Sequence, residues 1–247
     1  MGRPIDFRRV VATDLPAELA NLHRSMPVGS IVQVTLGLTN PLQLIDIIIG
    51  AGFALDELEE ARSPDGNPEL AVRARRLPTL PDTVGADMRL LVCGLNPSVR
   101  AADAGVGFVT PGNRYWPAAL AAGLVSRDRD PQHALSAHGI GMTDIVKRAT
   151  PRADALRRAE YREGIERLER LCAWLRPAAI CMVGLAGWRA ALDRKATAGW
   201  QDAPLGGQPV YVMPSTSGLN AGSSLDALID HLRSASQPPP SAPKVAT

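Results

Sequence analysis

Residues 90–98 read LLVCGLNPS, an apolar run that halts at Gly94 and then presents Asn96 pinned ahead of Pro97. An asparagine cannot act as a general base near neutral pH. Its side-chain oxygen can still accept a hydrogen bond from a water and hold that water in line with an electrophile. Proline restricts the residue before it to extended conformations, so the loop aims the amide of Asn96 in one direction. The plain structural alternative is an Asn-Pro turn whose amide bonds its own backbone. Other stretches also place polar or aromatic residues beside apolar runs: Phe108, the run Pro111-Gly112-Asn113-Arg114-Tyr115-Trp116, and Gly139–Val146 with Asp144. The last is Met213-Pro214-Ser215-Thr216-Ser217-Gly218-Leu219-Asn220.

These residues need elements to hold them. MRLLVCGLNPS reads as a strand and loop, NRYWPAALAAGL as a helix, HGIGMTDIV as a loop with a short strand, and AEYREGIERLERLCAWL as an amphipathic helix. PAAICMVG is a second buried strand, GWRAALDRKA a helix, PVYVMPSTSG a strand feeding a loop, and SSLDALIDHLR a helix capped by Ser223 or Ser224. Alternating strands and helices imply a mostly parallel sheet covered on both faces, with the ligand site where loops leave the carboxyl ends of the strands. GLNPS and MPSTSGLN both fall at such ends.

Ahead of this lies a smaller α/β segment. Its order is helix (13–25), strand (IVQVTLG), helix (NPLQLIDIIIGAGF, stopped by glycine) and a charged strand (PELAVRARRL). LPTLPDTVGA, with two prolines and a glycine, reads as a linker. The expected divisions are 1–79, a linker at 80–87, a main domain at 88–233 and a disordered tail at 234–247, SASQPPPSAPKVAT.

The totals exclude several classes. Net charge is only +2, which permits an acidic partner without announcing one. Cys93, Cys172 and Cys181 lie in apolar runs and do not form a disulfide framework, which points to the cytosol. The histidines show no metal spacing, so no metal is expected. The opening residues lack a secretory signal, and LIDIIIGAGFAL is too short for a membrane span.

In their order and spacing, GLNPS, Phe108 with PGNRYW, GIGMTDIV and MPSTSGLN resemble the mismatch-specific uracil-DNA and thymine-DNA glycosylases. The resemblance covers residues 88–233 and implies a three-layer α/β/α domain that removes a damaged base from double-stranded DNA, in base excision repair, with no cofactor. It implies that Asn96 positions the attacking water and that Gly94, Leu95, Pro97, Phe108, Asn113, Asp144 and Ser217 line the base pocket. Ser215, Gly218, Leu219 and Asn220 would meet DNA, with Leu219 as a wedge in the gap left by the flipped base. Arg114, Lys147 and Arg148 would face phosphates.

Asp144 falls where such proteins vary. A carboxylate there would accept from an amine or ring N–H and repel a bare carbonyl unless protonated, which bears on which base is taken. The first segment resembles the carboxyl-terminal end of a class I methyltransferase and lacks the glycine-rich loop that would hold S-adenosylmethionine. It therefore implies no cofactor site. The rival to an excising enzyme is a binding module of the same fold that recognises damaged DNA without cutting the bond.

Overall fold

The computed structural model describes residues 4–37, 40–63 and 65–239. The amino-terminal part contains β1 (Ile5–Asp6), α1 (Leu15–Ser25), β2 (Ile31–Leu36), α2 (Pro41–Gly50), β3 (Phe53–Arg62) and β4 (Pro68–Arg76). Its strands form one sheet in the order β1-β2-β4-β3, antiparallel apart from the short β1–β2 pair.

Val34 and Leu36 of β2 and Leu70, Val72 and Ala74 of β4 are buried beneath Leu15 and Leu19 of α1 and Ile47 and Ile48 of α2. The alternate residues face away and carry ion pairs, Arg73 with Glu57 and Arg75 with Asp56, each at 3.0 Å. The period-two pattern thus gives the sheet one packed and one solvated face. Asn40 caps α2 by accepting from Gln43 N at 3.2 Å, and Pro41 supplies a fixed first turn.

One long strand was absent from the reading of the sequence. FALDELEEAR forms the ten-residue β3, paired antiparallel with β4, with the register shifting between Leu55 and Glu57. That irregularity and the run of acidic residues hide the alternation. The charges suit an edge strand, where they discourage pairing with another chain.

Residues 80–87 are not a solvated tether, contrary to the expectation of a linker. Thr79, Asp82, Val84 and Met88 are all buried. Asp82 N donates to Gly50 O at 2.8 Å, and Thr83 exchanges two main-chain bonds of 2.8 Å with Met142. Prolines and a glycine show that the segment is irregular, but only the docked partners show that it is covered.

The rest of the chain carries β5 (Leu90–Gly94), α3 (Val99–Ala104), α4 (Tyr115–Ala121), α5 (Pro131–His138) and β6 (Ile140–Asp144). It continues with α6 (Arg158–Leu175), β7 (Ile180–Val183), α7 (Leu185–Ala191), β8 (Gly199–Trp200), β9 (Val210–Met213) and α8 (Leu225–Ala235). The sheet order is β6-β5-β7-β9-β8, parallel except for the short antiparallel β8.

Leu90 and Val92 pack with α4 and α8 on one face, whereas Leu91 and Cys93 pack with α6 and α7 on the other. The three-layer α/β/α arrangement expected for this part is the one observed. Ser224 caps α8 by accepting from Ala227 N at 3.1 Å. Of the expected tail, residues 234 and 235 complete α8, and 240–247 lie outside the described residues.

The two parts are fastened together by Asp46 of α2, whose carboxylate receives Arg170 of α6 at 2.6 and 2.9 Å. No helix among the described residues is long and apolar enough to cross a membrane. Leu91→Ala should cost about 2–5 kcal/mol in urea denaturation, because Leu91 is fully buried at the centre of the sheet. Arg73→Ala, which breaks a surface pair, should cost under about 1 kcal/mol in the same measurement.

Candidate active site

β5 and β6 run parallel in a register that pairs Gly94 with Asp144, so both strands end at the same level. The chains stay joined beyond the strands: Ile145 N donates to Gly94 O at 3.0 Å, Val146 N to Leu95 O at 3.0 Å, and Thr150 N to Pro97 O at 3.1 Å. The Asn96 loop is therefore zipped to residues 145–150 along its length.

The carboxamide of Asn96 is fixed by its nitrogen. Nδ2 donates to Pro97 O at 3.1 Å, Arg148 O at 3.1 Å and Thr150 Oγ1 at 2.7 Å. Thr150 in turn donates to Arg152 O at 2.8 Å, which orients its hydroxyl to accept from the amide. With the NH₂ group spent, Oδ1 is left without a partner among the described residues, free to accept from a ligand or a water. The amide does bond its own turn, as the plain reading allowed, but two of its three partners come from about fifty residues away. Thr150 went unnoticed in the sequence; its only signal is a threonine before a proline shortly after GMTDIV.

A cavity of about 220 Å³ opens here, lined among others by Gly94, Leu95, Asn96, Pro97, Phe108, Asn113, Asp144, Ser215 and Ser217. All seven residues expected to line a base pocket, with Asn96, border this one cavity. It is smaller than the roughly 300–1,000 Å³ of pockets for larger ligands, and suits one flat base. Leu80, Pro81 and Thr83 also line it, so the segment expected to be a linker supplies part of the wall.

Phe108 forms another wall. Its backbone is left-handed, with φ at 58°, and its ring stacks on Tyr115 with centroids 4.4 Å apart. Gly94 is required for space: a Cβ there would come within 2.3 Å of Asp144 Oδ1 and 3.4 Å of Phe108 Cζ. Asn113, which also lines the cavity, accepts from Tyr115 N at 2.9 Å through Oδ1.

The 215–220 loop is folded by its own polar side chains. Ser215 Oγ accepts from Ser217 N at 3.2 Å, Ser217 Oγ from Leu219 N at 3.3 Å, and Asn220 Nδ2 donates to Ser215 O at 2.7 Å. At its tip Leu219 is 97% exposed, the most exposed large apolar side chain among the described residues. The loop approaches 110–114 so closely that a Cβ on Gly218 would lie 2.9 Å from Gly112 O.

Three expected phosphate contacts stand differently. Lys147 does not face a phosphate as expected: its ammonium is buried against Asp82 at 2.6 Å and cannot reach a DNA backbone. Arg114 clamps the loop instead, donating to Asn220 O at 2.6 Å and Ser217 O at 3.4 Å and also to Ser223 O. Arg148 is half exposed and bound bidentately by Glu160 at 2.7 and 3.0 Å. A positive charge in the sequence says nothing about which carboxylate claims it.

Asp144 is buried at the base of the cavity, and its carboxyl group has no hydrogen-bond donor among the described residues. Burial pushes its pKa up to about 6, opposed by the charge of Lys147 and aided by that of Asp82. Among the described residues no group of three or more His, Cys, Asp or Glu side chains is placed to hold a metal.

A mostly parallel sheet with helices on both faces carries a small pocket at its strand ends, bordered by an asparagine whose amide nitrogen is fully engaged. The family model of the uracil DNA glycosylase superfamily matches residues 81–234, and the chain belongs to that superfamily. Its members are DNA glycosylases of DNA repair, which act on damaged bases, and this chain is an enzyme of that general kind.

The raised pKa of Asp144 has a sign that can be tested. The folded-state value, about 6, lies above the ordinary 3.8, so the group favours folding below pH 4 and that contribution is lost as pH rises through 6. Asp144→Asn removes the penalty. The variant should match the wild type in urea denaturation at pH 4 and exceed it at pH 8 by ~3 kcal/mol or less.

Proposed function

We propose that the protein is a monofunctional glycosylase that hydrolyses the N-glycosidic bond of uracil or a related deaminated base in duplex DNA, the base standing opposite guanine. The observation that carries this reading is the fixed amide of Asn96, with its nitrogen engaged and its oxygen unpartnered among the described residues, in a residue that borders the same cavity as Phe108, Asn113 and Asp144.

The flipped base lies against Phe108, and Asn96 Oδ1 accepts a hydrogen bond from a water aimed at C1′ of the sugar. As the C1′–N bond lengthens, positive charge spreads over the sugar ring, and the water oxygen bonds to C1′. The base leaves with the bonding electron pair and takes up a proton, while the water's proton passes to solvent. Asn96 aligns the water without deprotonating it, so the barrier falls through positioning rather than base catalysis, and turnover is slow.

Asp144, ionised above about pH 6, accepts from an N–H on the base edge and disfavours a base that presents only carbonyls there. Uracil, hypoxanthine and xanthine each offer a ring N–H, whereas ethenocytosine does not. Leu219, exposed at the loop tip, enters the stack as the base leaves, offsetting a few kcal/mol of unstacking.

The decisive experiment incubates the protein with labelled oligonucleotides carrying G·U, G·T, A·U, single-stranded uracil, hypoxanthine, xanthine or ethenocytosine, and then cleaves abasic sites with alkali. Scission at G·U and at the purines with a ring N–H is expected, and no scission with any substrate would leave only a binding module. Asn96→Ala should abolish scission, by about a hundredfold or more, while keeping duplex affinity within a few-fold. Equal activity would remove Asn96 from the reaction.

The wedge is tested separately. Leu219→Ala should reduce excision from duplex substrates at least tenfold more than from single strands, as compared in single-turnover rates. An equal loss on both would refute a role in holding the duplex open.

A further inference from the structure

Two cations lie buried beside Asp144, and neither bonds its carboxyl group. Lys147 Nζ is 2.6 Å from Asp82 Oδ1, and Arg167 Nη1 is 2.8 Å from Asp82 Oδ2. Thr143 Oγ1 donates to Asp82 Oδ1 at 2.7 Å. Arg167 Nη2 reaches Thr143 Oγ1 at 3.1 Å and the main-chain oxygen of Asp144 at 3.0 Å. One carboxylate from the junction between the two parts therefore occupies both cations, while the carboxylate facing the pocket is left open.

The place of Asp82 is set from the amino-terminal side. Its N–H donates to Gly50 O at 2.8 Å, at the end of α2. A Cβ on residue 50 would stand 2.4 Å from Asp82 Oδ2 and 3.1 Å from Arg167 Nη1, so the helix must end in glycine for the pair to form.

The charges bearing on Asp144 come from three directions. Lys147 follows it in its own segment, Arg167 comes from α6, and Asp82 comes from the junction. Cys93 of β5 is buried close by, with its thiol pushed well up by burial and held protonated. Asp46 faces Arg167 from α2, and His23 faces Lys147 from α1, its pKa lowered by burial to about 4 so that it is neutral near pH 7. Burial raises the pKa of Asp82, and the charges of Arg167 and Lys147, with bonds from Lys147 and Thr143, outweigh this and hold it below the ordinary value. Asp82 is thus the standing anion of the group, and Asp144 the one left to titrate.

We propose that Asp82 is a positioning residue for the base pocket: by engaging Lys147 and Arg167 it withholds both from Asp144 and keeps that carboxyl group available to the base. The proposal rests on the reading of Asp144 as the group that meets the base edge. It also gives the amino-terminal domain a function in the chemistry, since α2 holds Asp82 where it can neutralise both cations.

The test follows the carboxyl titration of Asp144 by carbon NMR of aspartate-labelled protein, assigned by the signal lost in Asp144→Asn, alongside the pH profile of single-turnover excision at G·U. Asp82→Asn frees the two cations and should lower the Asp144 midpoint by about one unit or more. Lys147→Met should raise it, and the double variant should return near the wild-type value. Shifts of opposite sign that cancel in the double variant are not produced by a merely structural perturbation.

If Asp82→Asn does not fold, the difference between Lys147→Met and the double variant isolates the same charge. An Asp144 midpoint unmoved by the loss of the Asp82 charge overturns the proposal. A midpoint that moves while the excision profile stays fixed upholds the role of Asp82 and instead removes Asp144 from base recognition.

Discussion

Gly94 and Asp144 are paired across two parallel strands, and from that pair the chains stay bonded past the strand ends as far as Thr150. This continued ladder brings Arg148 O and Thr150 Oγ1 under the amide of Asn96 and holds them there. Because Gly94 lacks a side chain, the carboxyl group of Asp144 and the ring of Phe108 can close over the same point. Asn96, Phe108 and Asp144 are thus brought to one cavity by backbone register, without relying on mobile side chains.

Electrostatics adds a second constraint. A buried carboxyl group, a buried lysine and a buried arginine would ordinarily settle into a pair, with the remaining charge left uncompensated. Here a fourth group, Asp82, satisfies the lysine and the arginine together. Desolvation is then the largest influence on Asp144, which shifts upward even with two cations nearby. The two parts of the protein are joined at this point, so the docking of the amino-terminal domain and the electrostatics of the pocket are one physical problem.

The elements of the second part were legible because their apolar runs are short, strongly periodic and bounded by glycine, proline or capping serine. Ser224 at the start of α8 and the burial of both faces of β5 are cases in point. β3 was not legible, since its acidic residues obey the needs of a sheet edge rather than those of a core. The pocket residues that carry a motif were found together around one cavity. Those without a motif, Leu80, Pro81 and Thr83, and likewise Thr150 behind the Asn96 amide, act through contacts made by chain segments distant in sequence.

Lys147 and Arg114 show the limit most plainly. Both were assigned by charge to a DNA-facing surface, but one is buried against Asp82 and the other ties down the 215–220 loop. What the sequence determined by itself was local: where strands stop, that Pro97 restrains Asn96, and that Leu219 sits in a turn of small polar residues. The tertiary structure decided which way the amide faces, which carboxylate the cations choose and which carboxyl group stays unpaired. Those outcomes depend on hydrogen bonds and charges between residues some twenty to eighty-five positions apart, and no local pattern encodes such pairings.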